Sequence, residues 1–269
     1  MPYFTTPDGC RLFFEPFETE TPKPALVFLN GTTQTTVHWQ SQALYFKNDF
    51  RSLRYDARAQ GKSAIGKAPL SLDLHLDDLT GLLIHAGIEK ATLVGLSHGA
   101  NVALAMAAAH PARIERLILC SVAAEPGTRA RTTLRSWEEI LKTGGLAAMA
   151  WAALPVVFGE AYLDQNRRIL DMLVTAVAKR NRADRLLAHL EAMARYPSPA
   201  SYAARIRQPT LVVSGDQDPL VSAAGAARLA ALCRGLHYRL PRAGHTVPLE
   251  EPALFNQALE EFFSSARRP

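Results

Sequence analysis

The chain has few of the residues that most readily reveal a cofactor or a compartment. Only three cysteines, Cys10, Cys120 and Cys233, occur among its 269 residues. Their odd number and wide spacing exclude a disulfide framework and a thiolate metal cluster, so buried free thiols are the expectation. No Gly-rich phosphate loop and no ligand-spaced Cys/His cluster appears, and neither a metal nor an organic cofactor is called for. Glycine (16) and proline (17) are not in excess. With no low-complexity tract or repeat, disorder and solenoid architectures are excluded. No apolar stretch is expected to reach the roughly 18 residues of a membrane span. The opening "MPYFTTPDG" lacks the basic end and apolar run of a secretory signal, so a cytoplasmic protein with no membrane partner is expected.

What is present is one large core's worth of apolar residues, 48% of the chain, and an uneven charge. Of 30 basic and 25 acidic residues, 13 and 8 lie between Ala124 and Gln208, which leaves 17 of each sign elsewhere. The net charge of +5 therefore belongs to one segment. Its basic residues are diluted among helical apolar ones without aromatic interleaving, which argues against nucleic acid.

Short apolar runs alternate with helical patterns through the first half. "YFTT" and "CRLFFEPF" flank the turn signal Pro7-Asp8-Gly9 and read as a hairpin. "ALVFLNG", "SLRYDAR", "ATLVGLS" and "IERLILCSVA" follow, separated by helix-like stretches. Near-continuous apolar runs taking turns with helices predict a parallel sheet buried on both faces. From Ala124 to Gln208 the pattern is helical, broken at "GTR" and "TGG". The alternation then resumes with "TLVVSGDQDP", a helix over 223–232, "LHYRLPRAGH" and a last amphipathic helix. The expected organisation is an α/β core of residues 1–123 and 209–269, with 124–208 inserted as a helical cap after the sixth strand.

The chain's Gly-x-Ser-x-Gly, "GLSHG" at 95–99, stands where an apolar run meets a helix-forming one. Such a junction suits a strained turn that pushes the Ser97 hydroxyl out at the sheet's carboxyl edge. A serine hydroxyl needs a base and an orienting acid. "SGDQDPLV" places Asp218, with Asp216 as a rival, after one later strand, and "RAGHTVPLEEP" places His245 after the next. Ser, Asp and His thus follow successive strands at the edge where α/β sheets gather their chemistry. His98 adjoins the serine too closely to act as its base, and its imidazole is expected to line the pocket.

These residues resemble the α/β-hydrolase superfamily over nearly the whole chain. "FLNGTTQTTVHW" is similar to that family's oxyanion loop, with Asn30 where His is usual, and "YDARAQGKS" to its Asp-x-Arg-Gly-x-Gly-x-Ser turn, with Ala59 in place of the first Gly. The resemblance implies an α/β-hydrolase fold, a mostly parallel eight-stranded sheet flanked by helices with a cap. It further implies Ser97 as nucleophile, His245 as base, Asp218 as orienting acid, and the backbone N–H groups of Thr32 and His98 as oxyanion hole. The implied reaction is carboxylic ester hydrolysis. Lactones, thioesters and acyl transfer are variants with the same residues, and a non-catalytic receptor is the alternative from another class. Thr33, Trp151 and Phe158 are candidate pocket residues. Arg167, Arg168, Lys179 and Arg180 are candidates for docking an acidic partner such as acyl carrier protein, because the layout is also similar to pimeloyl-carrier-protein methyl ester esterases. Oligomeric state is left open.

Overall fold

The computed structural model describes residues 3–15 and 23–265. Its strands are β1 (Tyr3–Thr5), β2 (Arg11–Glu15), β3 (Ala25–Leu29), β4 (Arg51–Tyr55), β5 (Ala91–Leu96), β6 (Ile114–Cys120), β7 (Thr210–Gly215) and β8 (Leu236–Leu240). They form one sheet in the order β1-β2-β4-β3-β5-β6-β7-β8. The first two strands are the predicted hairpin, and β2 lies antiparallel on β4. Every later pairing is parallel. The helices are α1 (Gln40–Tyr45), α2 (Leu72–His85), α3 (His98–Ala109), α4 (Thr128–Val157), α5 (Glu160–Asn166), α6 (Leu170–Arg180), α7 (Ala183–Met193), α8 (Ala200–Ala203), α9 (Ala223–Leu232), α10 (Val247–Glu250) and α11 (Pro252–Ser265).

Successive strand side chains point to opposite faces, so a fully apolar strand feeds two cores at once. Leu26, Phe28, Val94, Leu96, Ile118 and Val213 pack with Trp39 and with Phe255, Leu259 and Phe263 of α11. The alternate residues Val27, Leu29, Leu93, Leu117, Leu119 and Val212 pack under α2, α3 and α9. Cys10, Cys120 and Cys233 are buried free thiols, as their spacing predicts.

Arg58, from the "YDARAQG" turn, is fully buried and clamps distant segments. It donates to Asp78 of α2 at 2.8 and 2.7 Å and to Asp8 of the hairpin turn at 2.8 and 2.9 Å. These fork-to-carboxylate pairs fix the hairpin against α2, the helix between β4 and β5. Ala59, where the resemblance leads one to expect glycine, keeps the left-handed conformation at φ 70°.

Between β6 and β7 lie the helices α4 to α8. The "TGG" break proves to be a bend rather than a gap. Gly145 takes φ 74° and ψ −171° inside the span of α4, a conformation open chiefly to glycine. One 18-residue window of α4 reaches a mean hydropathy of 1.5, so the expectation that no stretch is long and apolar enough for a bilayer does not hold for this helix. Gly145 nonetheless divides it into two arms, each shorter than the about 20 residues a span requires. Trp137, Leu141 and Met149 on these arms are buried with Leu186 and Leu190 of α7. The two ends of the helical excursion meet: the Ala200 N–H and the Ser198 hydroxyl both donate to the Ala124 carbonyl at 2.8 Å.

Candidate active site

Ser97 sits between β5 and α3 with φ 53° and ψ −109°, a sterically disfavoured conformation for an L-residue. The flanking glycines explain how the chain tolerates it. A Cβ on Gly95 would stand 2.4 Å from the Gly99 carbonyl oxygen, and one on Gly99 would stand 2.3 Å from that of Leu29. Only bare backbone lets α3 start this close to the strands. The Ser97 N–H is spent on the Cys120 carbonyl at 2.8 Å, which fixes the turn to the end of β6. His98 is the first residue of α3, so its N–H has no acceptor within the helix.

Asp218 and His245 leave the carboxyl ends of β7 and β8. The Asp218 carboxylate is anchored by its own turn, its Oδ1 accepting from the amides of Leu220 (2.8 Å) and Val221 (3.1 Å). Its Oδ2 accepts from His245 Nδ1 at 2.7 Å. That bond sets the ring's tautomer and leaves Nε2 with its lone pair. Asp216, the rival acid, instead pairs at the surface with Arg239 at 2.8 Å. Burial pulls the His245 pKa down, but the Asp218 charge and hydrogen bond, with Glu250 farther off, outweigh it, so the net shift is upward.

The His245 loop hangs partly from the helical insertion. The amides of His245 and Thr246 both donate to the Val157 carbonyl at the end of α4, at 3.1 and 3.2 Å. Glu250 ties the same corner, its carboxylate accepting from the amides of Gly159 (2.7 Å), Gly244 (2.8 Å) and Thr246 (2.8 Å).

Ser97 and His245 face one cavity of about 230 Å³, roofed by α4, α6 and α7. No hydrogen bond joins the Ser97 hydroxyl to His245 among the described residues, so of the two bonds expected in series only the one to Asp218 is formed. In ligand-free sites such contacts often tighten only when substrate arrives. Thr32 and Thr33, in the loop after β3, line the cavity. Thr33 has φ 67°, and the Gln60 side chain holds the Gly31 carbonyl at 3.0 Å. Asn30, in the usual histidine's place, turns away and donates to the Tyr55 carbonyl at 2.8 Å.

Phe158 lines the cavity as expected, but Trp151 does not: it is 44% exposed on the outside of α4. The Gly145 bend resets the helical phase, and Met149, Ala150, Ala153, Leu154 and Val157 form the inward stripe. Residue 151 falls off that three-and-four spacing. The aromatic wall comes instead from Trp137, on the other arm. The His98 imidazole is also absent from the cavity and packs against His75 and His189. Arg167, Arg168, Lys179 and Arg180 are exposed on α6 and the turn before it. Ser121, which the sequence reading passes over, lines the cavity just beyond β6 with φ 53° and a buried hydroxyl that has no protein partner. Its place directly after an apolar strand is the signal that marks it.

A strained serine between close-packed glycines and an aspartate-bound histidine, opening on one cavity at the carboxyl edge of a parallel sheet, define a site of the α/β-hydrolase kind. The family model described as "Alpha/beta hydrolase family" matches residues 26–258, and the chain belongs to that family. It is 28% identical over 238 residues to 3-oxoadipate enol-lactonase 2 of Acinetobacter baylyi, covering 88% of each chain. Among solved structures, the enol-lactonase of Burkholderia xenovorans superposes with a TM-score of 0.89 at 28% identity, covering 98% of this chain and 100% of that one. A thermophilic esterase of Thermogutta terrifontis superposes with a TM-score of 0.86 at 26% identity, covering 99% and 98%.

Proposed function

We propose that the protein hydrolyses carboxylic esters, cyclic esters included, through an acyl-enzyme on Ser97. The observation that carries this reading is the His245–Asp218 bond beside a strained Ser97 on a shared cavity. His245 Nε2 takes the Ser97 proton as the oxygen attacks the acyl carbon. The amides of Thr32 and His98 receive the negative oxygen of the tetrahedral intermediate. As that intermediate collapses, His245 protonates the departing alkoxide. Water, deprotonated by the same ring, then adds to the acyl carbon and frees Ser97 and the acid. With a lactone the alcohol remains tethered, and the single product is a hydroxy acid. Residues 124–208 act in this reading as the cap over the reacting bond.

The cavity walls favour an uncharged, apolar acyl group. Leu134, Trp137, Met149, Leu154 and Phe158 face it, and no lysine or arginine lines it among the described residues. The lactone of a dicarboxylic acid keeps one free carboxylate, which would meet no cation there. Neutral esters and lactones are therefore the better fit than the substrate named for the Acinetobacter relative.

The test is release of p-nitrophenol from neutral short-chain esters, with Ser97→Ala alongside and intact-mass analysis after a fluorophosphonate. The expected results are a rate loss of about 10³-fold or more and a single adduct on Ser97. Equal turnover by both proteins would remove Ser97 from the chemistry and restore the receptor reading.

A further inference from the structure

We propose that His75, His98 and His189 form a binding site for a divalent transition-metal ion, with zinc as the probe, that fastens the helical insertion to the sheet domain. The three come from separate elements: His75 from α2, His98 from the start of α3, and His189 from α7 of the insertion. Each offers a ring nitrogen within 4.8 Å of the others. The rings meet edge to face, with centroids 4.3, 4.8 and 6.1 Å apart.

Three imidazoles around a tetrahedral zinc place their ligating nitrogens about 3.3 Å apart. The cluster therefore needs to contract by up to about 1.5 Å, within reach of side-chain torsions.

The hydrogen-bond inventory points the same way. All three side chains are at most 2% exposed, yet His75 Nε2, His98 Nδ1 and both nitrogens of His189 have no partner in the protein. Buried polar atoms left this way are rare and need an explanation. A metal ion satisfies one nitrogen on each ring. The nearby cation, Arg58, is paired with two carboxylates, Asp8 and Asp78.

None of the three lines the cavity; Ser97, Met193 and Tyr196 do. The ion would sit behind that wall and hold α7 in place without touching substrate. The Tyr196 hydroxyl is 3.4 Å from His98 Nε2, and the fourth position of a tetrahedral ion would fall to water.

The test begins with protein stripped by a chelator, dialysed against zinc chloride, gel-filtered and analysed for metal. One zinc per chain is expected, with a thermal midpoint raised over the stripped form. Cobalt substitution should give the intense visible absorption of a tetrahedral nitrogen site. His75→Asn and His189→Asn should each lose both the stoichiometric zinc and the thermal shift, with folding checked by circular dichroism and by fluorophosphonate labelling of Ser97. Wild-type protein that retains no stoichiometric zinc overturns the proposal, and so does full zinc content in both variants. Should the variants misfold, X-ray absorption of the zinc-loaded wild type decides. Three imidazole nitrogens at about 2.0–2.1 Å support the site, and fewer overturn it. Because zinc content is read apart from turnover, its outcome does not depend on the ester-hydrolase reading.

Discussion

At the scale of single residues, the Asp218–His245 bond makes the sharpest prediction. In the proposed mechanism His245 takes a proton only when neutral, and its pKa is raised in the folded protein. Ester hydrolysis should therefore rise with pH through a midpoint above about 6.5, the ordinary histidine value. Asp218→Asn should lower kcat by about 10⁴-fold, because the ring loses its tautomer and the stabilisation of its charged form. In stability the sign is opposite. The charged pair is strongest below the unfolded histidine's pKa, and its contribution fades as pH climbs through the folded one. A pH–rate profile and a pH series of thermal melts measure the two separately. Gly99→Ala is a second residue-scale case. Its methyl would collide with the backbone of Leu29, so soluble yield and labelling of Ser97 should both collapse.

At the scale of elements, the packed strands were open to inspection in the sequence, because apolar runs such as "ATLVGL" and "TLVVSG" have nowhere to go but a two-faced core. The positions of Ser97, Asp218 and His245 were readable for the same reason, each standing at a strand's end. Trp151 was misplaced because no periodicity runs through Gly145, whose left-handed backbone turns the second arm of α4 by an amount that composition does not encode. The histidine cluster was hidden more completely. Its members are 23 and 91 residues apart in sequence, and only the docking of α7 on α2 and α3 brings them together.

Two corner residues give element-scale predictions. Arg58→Ala leaves the Asp78 carboxylate buried without its partner and should cost about 3–5 kcal/mol in urea unfolding. Glu250→Ala orphans three amides around the His245 loop and the start of α5. It should cost about 1–3 kcal/mol and, on the proposed mechanism, depress kcat more than it changes KM, since the loop carrying His245 loosens.

At the scale of the whole molecule, the basic excess and the cavity lie on the same helical excursion but do not meet. Arg167, Arg168, Lys179 and Arg180 are exposed, while no lysine or arginine lines the cavity among the described residues. Hydrolysis of neutral esters should therefore be nearly indifferent to ionic strength. If the exposed face docks an acidic carrier, turnover of carrier-bound acyl groups should fall steeply with salt, because screening shortens to about 3 Å at 1 M. Stopped-flow rates for both substrates across a salt series check this, and parallel behaviour of the two would remove the docking role.

The Val157 carbonyl, which receives the amides of both His245 and Thr246, bears on any attempt to replace the helical excursion. The pinch at Ala124 and Ala200 invites transplantation of a whole helical module from another hydrolase. A graft lacking an acceptor at that one spot would leave both amides unpaired, and the His245 loop would then hang from Glu250 and Asp218.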